Sequence, residues 1–85
     1  MYNYLKEKPK IFTEEGQEMF LKIRDNTHKL LNQSGAVMLQ NAIKIASGDT
    51  WVQIACIDRL VELNEIKEIT DSNVAGQHRV FVLVN

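Results

Sequence analysis

Residues 34–68 read SGAVMLQNAIKIASGDTWVQIACIDRLVELNEIKE, and the small and polar residues inside this stretch decide the fold. Gly48 relaxes the backbone where one helix must stop, and the Asp49 side chain can accept from the free N–H groups that open the next. The stretch therefore predicts two helices meeting at the polar turn Ser47-Gly48-Asp49, a helix-turn-helix. Asn64 stands where the later helix ends in a left-handed residue, a conformation that Gly or Asn adopts at least cost. Ile66-Lys67-Glu68-Ile69 follows as an extended segment.

Working upstream, Thr13 is a good N-cap, and Glu14, Glu15 and Glu18 put negative charge where the helix dipole favours it. Met19, Phe20, Ile23, Thr27, Leu30 and Leu31 recur at helical spacing, so a first helix runs from Thr13 to Asn32 or Gln33 and is ended by Ser34-Gly35. A second, mostly covered helix spans Ala36 to about Ala46, and a third spans Thr50 to about Leu63. At 100° per residue the third helix places Val52, Ile54, Cys56, Ile57, Leu60, Val61 and Leu63 on one apolar arc. Trp51, Ala55, Asp58, Arg59 and Glu62 take the opposite arc. Ahead of all three, residues 1–11 form an arm with Tyr2, Tyr4 and three lysines around Pro9. This arm is either partly extended with its aromatics folded back, or a frayed terminus.

Downstream, Ile66–Thr70 is a short strand and His78–Val84 a stronger one rich in β-branched residues. Asp71–Gln77 has turn chemistry and joins them as a hairpin. Val80, Val82 and Val84 face one way and Phe81 and Leu83 the other. Both faces of that strand therefore want cover, from the helices on one side and from the arm or a second subunit on the other.

Eighty-five residues fit one domain, residues 12–85, with the arm in front. No apolar run approaches the ~20 residues needed to span a bilayer, and MYNYLKEKPK has no apolar centre of a signal peptide, so a cytoplasmic protein without membrane contact is expected. A single cysteine, Cys56, excludes an internal disulfide and a multi-cysteine zinc site. It reads as a buried structural thiol. His28 and His78 stand apart, with no cysteine or carboxylate at ligand spacing, and no phosphate-cradling glycine motif is present. No cofactor, no metal and no enzymatic activity are expected. The net charge of -1 gives no global pull toward nucleic acid, so any such role rests on a local patch.

Three helices followed by a β-hairpin resemble the winged helix-turn-helix domains of bacterial and phage regulators. The resemblance rests on the Ser47-Gly48-Asp49 turn, the run Ile57–Ile66 and the hairpin with Gly76 at its tip, and it covers roughly Phe12 to Val84. It implies an α+β winged helix, a three-helix bundle with a two-stranded wing. The third helix would enter the major groove of double-stranded DNA through Thr50, Trp51, Gln53, Ala55 and Arg59. Gln77, His78 and Arg79 would be wing contacts, and the arm lysines auxiliary phosphate contacts. The function this implies is a small transcriptional regulator acting as a homodimer or beside a partner.

One departure favours another class. The exposed arc of the third helix sets Asp58 and Glu62 against Arg59 alone, so it would approach a polyanion with net negative charge. It also exposes Trp51, a large apolar group suited to anchoring a protein partner, unless Trp51 is core against the first helix. The alternative is thus a winged-helix protein-interaction module without DNA binding, built on an apolar patch around Trp51.

Overall fold

The computed structural model describes residues 1–70 and 78–84. Its elements run α1 (Tyr4–Glu7), a 3-10 turn (Lys8–Phe12), α2 (Glu14–Ser34), β1 (Val37–Met38), α3 (Leu39–Ile43), α4 (Thr50–Glu62), β2 (Ile66–Glu68) and β3 (Val80–Leu83). The class is α+β, with four helices and a small three-stranded antiparallel sheet among the described residues.

The expected first helix is α2. The Thr13 hydroxyl oxygen accepts from the Gly16 N–H at 3.0 Å, which satisfies one of the donors left over at the helix start. At the other end Gly35 takes φ 78° and its N–H reaches the Leu31 carbonyl at 2.8 Å. The stripe facing inward includes Ile23, Thr27 and Leu31, all buried, with the Thr27 hydroxyl donating to the Ile23 carbonyl at 2.6 Å.

The expected second helix is shorter than its pattern. Val37 and Met38 form β1 and pair antiparallel with β3, Val37 opposite Phe81 and Met38 opposite Val80, so that α3 keeps only Leu39–Ile43. The sheet has the order β1-β3-β2, which corrects the two-stranded hairpin to three strands. Here a distant partner outweighs local periodicity: β3 supplies the hydrogen bonds that a first helical turn would leave unmade, and Val37 fills a buried place beside Phe81.

The helix-turn-helix boundary lies where the glycine and aspartate put it. Gly48 has φ 108°, and the Asp49 side chain accepts from the Trp51 N–H at 2.9 Å. Asn64 takes φ 63° after α4, in the left-handed region expected of it. β2 then pairs with β3, Ile66 opposite Leu83, Lys67 opposite Val82 and Glu68 opposite Phe81. The turn expected over Asp71–Gln77, its Gly76 tip and the wing candidate Gln77 lie outside the described residues.

Helices and sheet close on one core centred on Phe81, Ile57, Leu60, Ile23 and Ile66. The arm belongs to it. Instead of running extended, residues 4–12 coil into α1 and the 3-10 turn, with the Asn3 side chain accepting from the Lys6 N–H at 3.3 Å. Ile11 and Glu7 are 1% exposed, so the expected boundary between residues 11 and 12 falls inside a packed turn.

Candidate interaction surface

α4 is held by α2 behind it, by the Asp49 cap at its start and by the left-handed Asn64 at its end. Val52, Gln53, Ala55, Cys56, Ile57 and Leu60 are buried. Gln53 is 7% exposed and its amide donates to the Gly48 carbonyl at 3.3 Å, closing the turn before the helix. That corrects its assignment as a base reader, and Ala55, fully buried, is corrected with it. The open side of α4 instead carries Thr50, Trp51, Ile54, Asp58, Val61 and Glu62. Trp51 is 40% exposed, and Ile54 and Val61, expected inside, are only half-buried.

The arm explains this rotation of the exposed arc. The Tyr2 hydroxyl donates to Asp58 Oδ2 at 2.6 Å, and the Tyr4 hydroxyl donates to Glu62 Oε1 at 2.7 Å. Lys8 Nζ stands 2.9 Å from Glu62 Oε1 and 3.0 Å from Oε2. Phe12 lies under Arg59, whose guanidinium is 5.3 Å from the ring centre. The arm thus lies along the flank of α4 carrying Ala55 and Arg59, while Ile54 and Val61 on the other flank pack against the core and keep only part of their surface exposed. No signal within α4 foretells it; the pairing of a tyrosine- and lysine-rich arm with an acidic helical arc was the available cue.

Both arginines assigned to DNA face carboxylates. Arg59 Nη1 donates to Glu62 Oε1 at 2.8 Å. Arg79 donates from Nη2 to Asp58 Oδ1 at 2.8 Å and to Glu68 Oε1 at 2.7 Å, and from Nε to Glu68 Oε2 at 3.0 Å. Its guanidinium also lies 5.2 Å from the centre of the Phe81 ring. The remaining candidates, Thr50 and His78, are exposed. Arg59 and Arg79 are therefore each paired with carboxylates of the fold.

Hydrogen bonds from Tyr4, Lys8 and Arg59 lower the Glu62 carboxyl from 4.5 to about 2. Burial, then the hydrogen bonds to Asp58 and Glu62, raises both tyrosine hydroxyls well above the usual phenol range, so they remain donors. Glu68 is lowered chiefly by Arg79. Burial opposes ionisation of Glu65, but His28 and Arg24 outweigh it and its carboxyl is lowered.

Burial pushes the Cys56 thiol up to about 12, which suits an inert core group. His28 Nε2 is 2.8 Å from Glu65 Oε1, and Arg24 Nε is 3.0 Å from the same oxygen, tying α2 to the residue after Asn64. A cleft of about 520 Å³ opens between the start of α2 and the turn before α4, where Lys10 and Lys22 face Glu15, Glu18 and Asp49. Its lining carries charges of both signs. Among the described residues no three His, Cys, Asp or Glu are grouped to hold a metal ion, and no helix is long and apolar enough to cross a membrane. No protein-family model matches the chain, and no curated protein and no solved structure matches it.

Proposed function

We propose that this chain is a winged-helix interaction module that binds another protein through the open flank of α4. The α3-turn-α4 unit followed by β2 and β3 is compatible with a winged helix, to which β1 adds a third strand. The observation that carries the reading is the chemistry of that flank. Trp51, Ile54 and Val61 supply apolar surface beside Asp58 and Glu62, while Arg59 and Arg79 are already engaged by carboxylates. Apolar and aromatic groups at a partly desolvated centre are what protein partners bury, whereas affinity for DNA grows with the number of phosphates met by cations.

Fluorescence-anisotropy titration against mixed-sequence duplex DNA, at low and at moderate salt, separates this from the regulator reading. The expected result is no binding at either salt. Binding that weakens steeply as salt rises would show phosphate neutralisation and restore a DNA-binding transcriptional regulator, with Thr50, Arg59, His78 and Arg79 as its contacts.

A further inference from the structure

Both walls of the cleft between the start of α2 and the turn before α4 are held by hydrogen bonds. On one side the Thr13 hydroxyl donates to the Lys10 carbonyl at 2.9 Å and accepts from the Gly16 N–H, and the Gln17 amide donates to the Ile11 carbonyl at 2.7 Å. On the other side the Gln53 amide donates to the Gly48 carbonyl at 3.3 Å, and Asp49 caps α4 through the Trp51 N–H. Met19 and Val52 supply apolar lining, Val52 being buried. A Cβ placed on Gly48 would stand 3.2 Å from Met19 Cε, so the methionine side chain reaches the opposite turn. The volume of about 520 Å³ lies within the range of small-molecule sites, roughly 300–1,000 Å³.

Most of the charges on this lining have no partner in the fold. Lys10 Nζ is held by Glu7 Oε1 at 2.8 Å and is already neutralised. Lys22, Glu15 and Glu18 enter no ion pair among the described residues, although Glu18 and Lys22 stand four apart on α2. Asp49 gives one oxygen to the helix cap and pairs with no cation among the described residues. All four side chains are exposed at the rim, above the apolar lining. A simple cation would leave Lys22 unmatched, and a simple anion would face the carboxylates of Glu15, Glu18 and Asp49. A molecule with both charges and an apolar body matches all three parts.

We propose that this cleft binds a free α-amino acid with an apolar side chain. The ligand's carboxylate pairs with Lys22, its ammonium sits among Glu15, Glu18 and Asp49, and its side chain lies on Met19 and Val52. Hydrogen bonds already fix both walls, so little ordering is left for binding to impose. The site is separate from the flank of α4 that carries Asp58 and Glu62 and stands whatever that flank binds. An occupant would join the start of α2 to the turn that opens α4.

The test titrates the full chain with L-leucine, L-methionine and L-phenylalanine. Binding is read by the amide shifts of residues 13–22 and 46–52 and by the thermal midpoint, which a ligand of the folded state raises. N-acetyl-leucine lacks the ammonium, leucinamide lacks the carboxylate and glycine lacks the apolar body. Each is expected to bind about tenfold more weakly than leucine, since each leaves one part of the site unmatched. Lys22→Gln and Glu18→Gln, both at exposed positions, should weaken leucine by about three- to tenfold. In Lys22→Gln leucine and leucinamide should bind equally, because the group that tells them apart is gone. Leucinamide or N-acetyl-leucine binding the unaltered chain as well as leucine overturns the proposal, by showing a site that reads one charge only. Absence of shifts with all three amino acids at millimolar concentration overturns it as well.

Discussion

Arg79 was legible as a cation at the start of a strand, and its partners were not. Its guanidinium bridges Asp58 of α4 and Glu68 of β2, and lies on Phe81. Asp58 is 21 residues away, a separation that no local pattern encodes. As a phosphate contact Arg79 could be removed with little effect on folding; as a bridge it cannot. Arg79→Ala is expected to lower stability by about 1–3 kcal/mol, since charge-assisted bonds are lost and two partly buried carboxylates face each other unscreened. Urea unfolding followed by circular dichroism checks this, and an unchanged midpoint would mean the bridge is idle. The residues that were legible are those whose own backbone angle selects them: Gly35, Gly48 and Asn64 all lie at positive φ, and each stands where its residue type predicts. Gln53 was misread because amphipathic reasoning sends a polar side chain outward, whereas here a backbone carbonyl one turn back takes its amide inward.

At the scale of elements, α2 and α4 were legible because capping residues mark their ends and apolar spacing marks their inner faces. β1 was not, because two residues are too few for a period and their partner strand begins 42 residues later. The arm was half legible: its aromatics fold back as one alternative allowed, but their targets lie more than 50 residues on. The junction between the 3-10 turn and α2 leaves no room for a side chain at Gly16. A Cβ placed on Gly16 would lie 2.0 Å from the Lys10 carbonyl oxygen and 2.7 Å from that of Ile11, both backbone atoms. Gly16→Ala gains helix propensity of up to about 1 kcal/mol. Overpacking against rigid backbone costs about 1–3 kcal/mol and is expected to win. The arm should then separate from α2, seen as faster amide exchange over residues 4–12 than over residues 23–31. A variant more stable than the parent would show that the turn can step aside.

For the whole molecule, charge pairing sets the response to acid. Glu62 is lowered to about 2 by Tyr4, Lys8 and Arg59, and Glu65 and Glu68 are lowered as well. A carboxyl more acidic in the folded state stabilises the fold at every pH above its unfolded value of 4.5, and that contribution is lost as pH falls from there toward about 2. Thermal melts should therefore give a nearly constant midpoint above pH 5 and a falling one below about 4.5, with Glu62→Gln flattening the decline. A midpoint that rises on acidification would contradict the pairing. The polar contacts are surface ones, so added salt should shorten this decline without removing it.

β3 lies between β1 and β2 and brings Phe81 to the centre of the core. A ribosome, however, delivers residues 80–83 after every element that depends on them. Until they are made, Val37 and Ile66 have no strand to pair with, and the core lacks Phe81. Sheet closure and burial of Phe81 therefore wait on the same strand and are expected to arrive together.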